Sequence, residues 1–547
     1  MQMDRTRIIF VVIVGIAVLA ACGFGAFTLI SSMNSADPTP EPAVATTASS
    51  TKTSNSGITS AITNLDSPDP IWGPNHEANA NLPTYICGAD AFGSYFTLQQ
   101  MQMSGKDIEH GFRLGIVPFF LDGDPNYDIT EEQRTALLES SQWDCLLTTL
   151  DSVALKSPGV ITAIVDESAG ADQLWGRKIE TINDIQNKRI AFAQDSVGEY
   201  FVYYVLSIAQ LSPRSQVTLV PQDSVADAVA VFNNGQADVV AGWEPDIYDA
   251  ESSGGRPLLS SEQLRIVMDV IVTSQSSIQN EADLVQNFHN AWFDTLKAQT
   301  ADFDTAAANI AAWGHNDWTF VYPETAADDF GAWLESVAQA DLNDNAFVMR
   351  DTRPIINRLN IARRIWAASD VPVPSDNVAD LVNTGFVTRA AEQASLQPSG
   401  NPLNDTFSIS PQLDLSAVAS DDSATLAVLP CRTFSFLPES TELTLESRRI
   451  LDNCVVPTLS QSIGLFLKVE GSSAWPANTP AYTEADILEV AEGRAQSVVD
   501  YLVSQGIDPA RFIVEAALPP EDHRNTDDPT LMAEDRYVEL TLVTVGR

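Results

Sequence analysis

Positive charge is what this sequence has least of. Across 547 residues, 30 Lys and Arg stand against 73 Asp and Glu, a formal net charge of −43. Such an excess repels phosphate backbones and argues against nucleic acid as a partner. It also disfavours an anionic leaflet except through an inserted segment. Solvation is the plain reading of the acidity and attraction of a cationic ligand the sharper one; composition does not choose between them. Histidine and cysteine are scarce too, five of each, and no CxxC or Cys/His spacing suggests zinc. There is no GxSxG, HExxH or P-loop, and carboxylate pairs are too common here to single out a glycosidase-like pair. No enzymatic activity, metal or cofactor is therefore expected. The hydrophobic fraction, 44%, is ordinary for a chain with packed cores.

What is present begins with an apolar segment. Residues 8–30 (IIFVVIVGIAVLAACGFGAFTLI) carry no charge and follow Arg5 and Arg7. At 1.5 Å per residue they span a hydrocarbon layer of about 30 Å. The arginines favour a cytoplasmic N-terminus, so everything after about Ser31 is expected outside, in the periplasm or at the cell surface. Within the run, Leu19-Ala20-Ala21-Cys22 also resembles a bacterial lipobox. The apolar stretch continues past Cys22, which favours an uncleaved single-pass anchor over a lipoprotein, and both readings tether the protein to a membrane. In an oxidising compartment Cys431 with Cys454, and Cys87 with Cys145, are expected to form disulfides, free buried thiols being the alternative.

The remaining chain divides by composition. Residues 1–31 form the anchor or lipoprotein-like signal. Residues 32–81, rich in Ser, Thr, Pro and Ala, read as a flexible stalk, because such a segment cannot bury enough apolar surface to offset its conformational entropy. Residues 82–396 and 425–547 read as folded, joined by a linker at 397–424. Strand candidates in the central part lie at 84–87, 115–120, 145–148, 161–166, 189–193, 216–219, 239–241 and 265–273. Helical patterns lie between them, including 198–209, 224–233 and 281–299. This alternation predicts an α/β architecture with mostly parallel sheets, whose ligands bind at the carboxyl ends of strands.

Three segments carry a resemblance: WDCLLTTLDSVALKSPGV (143–160), INDIQNKRIAFAQDSVGEYFVYYVL (182–206) and VADAVAVFNNGQADVVAGWEPDIYDA (225–250). Their order and spacing resemble periplasmic-type solute-binding proteins of ABC importers, in the nitrate/sulfonate/taurine and thiamine-precursor group. The resemblance implies a type II periplasmic-binding-protein-like fold, with two α/β lobes closing on a small-molecule solute and an ABC permease as possible partner.

Within those segments the residues at strand ends are the ligand candidates. Ser196, in Gln194-Asp195-Ser196-Val197-Gly198, is either a helix cap alone or part of an anion-friendly corner. Trp243, Glu244 and Asp246 follow a strand and suit a stacked, cationic or hydrogen-bond-donating ligand, or else a structural Trp with a capping acid. Thr148, Thr149, Asp151 and Ser152 supply polar contacts or cap the next helix. In GADAFGSY, the glycine at Gly88 allows close backbone approach, while Phe92 and Tyr95 could wall the cleft. The group's usual anion-binding basic residue is not evident, so an amine-bearing, zwitterionic or heteroaromatic solute is favoured over nitrate or a plain sulfonate.

The C-terminal part carries a second resemblance. FSFLPESTELTLESRRILDNC (434–454), GLFLKVEG (464–471), AEGRAQSVVDYLVSQGIDPARFIVEA (491–516) and AEDRYVELTLV (533–543) resemble the α+β OmpA-like module, βαβαββ, which binds peptidoglycan in many envelope proteins. The resemblance implies that Arg494 could hold the ligand's carboxylate. The family's partner Asp is replaced by Ala474, which would leave the ligand's ammonium unpaired, and Arg536 reads as structural. The whole is expected to be a membrane-tethered solute-binding protein docked to the cell wall, acting in import or envelope signalling. The rival is a structural envelope scaffold or peptidoglycan-associated protein that binds no solute.

Overall fold

The computed structural model describes residues 67–121, 124–396, 423–461, 465–477 and 482–545. The apolar run at 8–30, with Cys22, lies outside them, as do most of the expected stalk and linker. Among the described residues no helix is long and apolar enough to cross a membrane.

Among the described residues sixteen strands form three sheets. In chain order the first five are β1 (Ile71–Trp72), β2 (Thr84–Ala89), β3 (Arg113–Pro118), β4 (Cys145–Thr149) and β5 (Val160–Ser168). Next come β6 (Asp172–Gly176), β7 (Arg189–Ala193), β8 (Thr218–Gln222), β9 (Val239–Trp243) and β10 (Arg256–Ser260). β11 (Met268–Thr273) and β12 (Val337–Gln339) complete the central part. The C-terminal part holds β13 (Ser423–Ser435), β14 (Phe466–Ser472), β15 (Phe512–Ala517) and β16 (Tyr537–Val545).

The first lobe is a seven-stranded sheet ordered β1-β3-β2-β4-β11-β5-β12, and the second a five-stranded sheet ordered β10-β6-β9-β7-β8. The chain leaves the first lobe after β5 and returns before β11, so it crosses between lobes twice. β5 and β11 pair antiparallel at the point of crossing. Both are buried along their whole length, as near-continuous apolar strands must be when helices cover both faces. The expected run at 265–273 starts only at Met268, because Arg265 closes the short helix Ser261–Leu264 in a left-handed conformation (φ 51°). β6, β10 and β12 were not among the strand candidates.

Helices fill the space around the sheets. Ala282–Ala301 lies under the first lobe, where Phe288 stacks on Tyr85 with ring centroids 4.5 Å apart. Val197–Ile208 is buried on nearly every side, the behaviour of a helix apolar all round. Its Tyr200 and Tyr203 both meet Trp366, at 5.7 Å, on the helix Arg353–Ala368. Trp366 in turn donates to the Asp151 carbonyl. The helix Arg353–Ala368 therefore touches both lobes.

Part of the segment expected to be stalk is folded. Residues 67–81 fold onto the first lobe: Ile71 pairs with Ile116 across β1 and β3, Trp143 Nε1 donates to Ser67 Oγ at 2.8 Å, and Tyr127 donates to the Asp69 carbonyl at 2.7 Å. Two apolar residues are too short a run to show periodicity, but at a sheet edge they suffice to pair.

The C-terminal sheet is ordered β13-β16-β14-β15, with β14 and β15 parallel and the other pairs antiparallel. A helix at Leu445–Ile450 widens through Leu451–Val455 and continues over Val456–Gln461. The second long helix is Glu484–Ser504. This part rests on the second lobe: Gln210 lies against Cys454, and the buried Arg511 approaches Tyr204 of the helix Val197–Ile208. One disulfide, Cys87–Cys145, joins neighbouring strands β2 and β4. The other, Cys431–Cys454, ties β13 to the helix behind it.

Gly88 shows how tightly the first lobe is packed. A Cβ there would stand 2.4 Å from Trp143 Cζ3, so the indole occupies the space a side chain would need. Gly88→Ala should destabilise the protein by about 1–3 kcal/mol through overpacking, read as a lower midpoint in urea. An unchanged midpoint would mean that the ring moves aside freely.

Candidate ligand cleft

The loops that follow β2, β4, β7 and β9 all face the waist where the two lobes meet. After β2 the chain forms a buried turn at Gly93–Phe96. Phe92 and Tyr95 meet edge to face there at 5.4 Å, with Trp333 beyond them. After β4 comes the short helix Leu150–Lys156, with Asp151 and Ser152 buried in its first turn and Thr149 bonded to Ser152 at 3.1 Å. Thr148 sits half-buried in β4. Gly88 is buried behind this surface against Trp143.

The turn after β7 is satisfied from within. Ser196 Oγ accepts from the Gly198 N–H at 3.1 Å, and Glu199 accepts from the Asp195 N–H at 2.7 Å. A carboxylate of the chain thus already occupies part of the corner that the sequence offered to an anion. Trp243 is half-buried at the end of β9. Glu244 accepts from Tyr248, from Gln173 (3.3 Å) and from Ser336 of the first lobe (3.0 Å). It therefore bridges the two lobes. Asp246 lies at the surface, but its carboxyl is crowded by surrounding protein and is raised by partial desolvation and then by Asp249 and Asp90, the last reaching it from the first lobe.

The most unusual chemistry lies deeper, on residues the sequence reading passed over. Asp166 in β5 and Asp269 in β11 are directly opposite each other in the ladder, and Asp269 is also opposite Thr149 in β4. Residues opposite one another share a sheet face. Asp172 opens β6 in the second lobe, opposite Trp243. Together with Asp151 these acids are at least 95% buried. Tyr95 donates its hydroxyl to Asp269. Burial drives all four carboxyls upward: Asp151 to about 8 and Asp172 to about 7, Asp269 by burial and then by the charge of Asp166, and Asp166 by burial and then by Asp172 and Glu167, against hydrogen bonds from Asp269 and Ser94 that favour its charged form. The cause is desolvation of the charged form reinforced by like charge.

Among the described residues no lysine or arginine pairs with any of these four. The two arginines that reach the waist are taken by another acid. Glu167, wholly buried beside Asp166, is held by Arg358 at 2.7 Å and Arg265 at 3.5 Å. The signal for the missed acids was legible. In ITAIVDES and IVMDVIVT a carboxylate interrupts an otherwise apolar strand, where a charge is costly without a partner.

Residues 160–306 match the family model described as NMT1/THI5 like. That span covers β5, the second lobe and the return into the first. No curated protein matches the chain. Among solved structures, similarity is found to the alkanesulfonate-binding protein SsuA from Xanthomonas axonopodis pv. citri bound to MOPS, at 17% identity over 55% of this chain and 98% of that one, TM-score 0.42. The periplasmic nitrate-binding protein NrtA from Synechocystis PCC 6803 aligns at 12% identity over 57% and 89%, TM-score 0.42. The desulfurization enzyme DszB aligns at 14% over 57% and 99%, TM-score 0.37. Likeness this loose says nothing of what the cleft holds.

In the C-terminal part Arg494 is buried rather than solvated. Its Nη1 donates to the Ser472 carbonyl at 2.7 Å and its Nε to the Ser440 carbonyl at 3.0 Å, and its guanidinium lies over the Phe436 ring. Burial, then the nearby Arg536, lowers it to about 10. Arg536 itself donates to the Phe436 carbonyl, and Ala474 is buried in the adjoining turn. Among the described residues no carboxylate pairs with either arginine.

The buried acids set a pH dependence. Their folded-state values lie above the unfolded carboxyl range of about 4, so the native state binds more protons than the unfolded state between about pH 4 and 8. Stability is then fullest at low pH in this window and falls as pH rises through the folded values. The melting temperature should be higher at pH 5.5 than at pH 8, and Asp151→Asn should flatten that slope. An identical slope in the variant would assign the effect to the general excess of negative charge instead.

Proposed function

We propose that this protein is an extracytoplasmic solute-binding protein, tethered at the membrane by its N-terminal segment, that captures a small molecule by closure of two lobes. The observation that carries the reading is the convergence of polar and aromatic loops from both lobes on a waist crossed twice by the chain. Ligand contacts to both sides favour a closed form by the differential affinity of that form for the solute. Closed, it would deliver solute to an ABC permease or signal to an envelope partner. The NMT1/THI5-like match over residues 160–306 supports solute binding.

The C-terminal part would be an OmpA-like module that associates with the cell wall. Its βαβαββ order supports this, and so do the buried Arg494 and the half-buried Arg536, which have no carboxylate partner among the described residues and suit the carboxylate of a peptidoglycan stem.

Two measurements test these readings on the full-length chain in detergent. Native mass spectrometry should find a co-purified small molecule, and its removal should lower the melting temperature through loss of mass-action stabilisation. A protein that carries no ligand and is indifferent to candidate solutes is a scaffold instead. For the C-terminal module, the chain should sediment with insoluble peptidoglycan and be released by soluble muropeptide. Arg494→Lys, which keeps the buried charge but loses the fork, should weaken retention. No retention of the parent chain refutes wall binding.

A further inference from the structure

The four waist carboxylates differ from the other acids of this chain in what surrounds them. Asp166 and Asp269 come from the two crossing strands, Asp151 from the first lobe and Asp172 from the second. Both crossing strands and both lobes therefore bring an acid to the waist. The charged and titratable groups facing them are Tyr95, which bonds Asp269; Tyr200, near Asp151; Glu244, near Asp172; and Glu167, already neutralised by Arg265 and Arg358.

One observation beyond the acids themselves points to a ligand rather than to a fortuitous cluster. Both carboxylate oxygens of Asp151 and both of Asp166 are buried and complete no hydrogen bond of ordinary geometry, although the Thr149 hydroxyl approaches the first and the Ser94 hydroxyl the second. Buried polar atoms in that condition are few in folded proteins and mark a missing partner. The acids are also too dispersed for chelation: among the described residues no three His, Cys, Asp or Glu side chains are placed to share a metal ion. A polyatomic cation that reaches several carboxylates at once fits that dispersion better. The aromatic groups at hand, Phe92 and Tyr95 in the first lobe and Trp243 opposite Asp172 in the second, present faces of the kind that attract organic cations.

We propose that the solute is an organic amine, bound through its protonated nitrogen at the waist by Asp166, Asp269 and Asp172, with Asp151 completing the negative wall. This rests on the solute-binding reading and names the class of solute. The cation replaces the proton that the buried acids otherwise hold, and because the acids come from both lobes and both crossings, the same charge draws the lobes together. Binding then releases protons to the buffer.

The test uses the full-length chain at pH 7.5, titrated calorimetrically with benzylamine, putrescine and agmatine, and with ethanesulfonate and nitrate as anionic controls. At least one amine should bind and the anions should not. The apparent heat should differ between Tris and phosphate in proportion to their ionisation enthalpies, as proton release requires. Asp269→Asn and Asp166→Asn should each weaken amine binding by about 30-fold or more, while melting no lower than the parent at pH 8, since each removes an uncompensated buried charge. Binding of ethanesulfonate or nitrate without amines overturns the cationic class but leaves solute capture standing. A co-purified molecule with no basic nitrogen does the same. Amine binding that is unchanged in both variants overturns the seat at the waist. Silence of all five probes together with a ligand-free native mass overturns both readings.

Discussion

The buried ion cluster of Glu167 with Arg265 and Arg358 is the contact on which the two-lobed arrangement depends. Glu167 stands where the chain leaves the first lobe, Arg265 where it returns, and Arg358 on the helix Arg353–Ala368 that touches both lobes. In a low-dielectric interior each of these charges is costly alone, so removing one partner of such a cluster typically costs about 3–5 kcal/mol. The three groups therefore fix the two crossing segments against a common helix. Motion between the lobes has to take place around this point rather than through it.

That same cluster decides the electrostatics of the cleft. With both arginines committed to Glu167, the neighbouring Asp166 and Asp269 face each other with neutral groups beside them, the Tyr95 hydroxyl at Asp269 and the Ser94 hydroxyl at Asp166. Asp172 and Asp151 extend the negative region into the second lobe and back toward β4. Proteins rarely keep such groups without compensation, because desolvation alone disfavours the charged form strongly. Carboxylates held in this condition gain most from a ligand that supplies positive charge, which is the ground for the proposed amine seat at the waist. Glu244 stands outside that cluster, and its bonds to Ser336, Gln173 and Tyr248 close a polar contact between the lobes.

The C-terminal part is packed onto the second lobe and does not float free among the described residues. Arg511 donates to the Leu459 and Leu465 carbonyls of its own domain while lying beside Tyr204 of the lobe's central helix. The helix Val197–Ile208 is thus shared: its first turn belongs to the cleft loop at Ser196, and its far end supports the C-terminal part. A rearrangement at the cleft loop and the orientation of the C-terminal part are mechanically linked through one helix.

Some of this was determined by the sequence alone. The alternation of apolar strands and amphipathic helices specified an α/β central part and a separate α+β end, because the periods of burial are local properties of the chain. β7 falls where its apolar run predicts, and the paired cysteines lie close enough in the fold to bond. The edge strand at Ile71–Trp72 was hidden, since its partner β3 lies more than forty residues away and two residues carry no period. The acids of the site divide in the same way. Glu244 and Asp246 were legible because they follow a strand end. Asp166 and Asp269 were visible only as interruptions of apolar runs, and Asp172 not at all. Whether an acid in a strand meets a base or another acid depends on strands brought together from opposite ends of the central domain. Pattern gives each element its type; only the tertiary structure sets Glu167 against two arginines and leaves its neighbours with none.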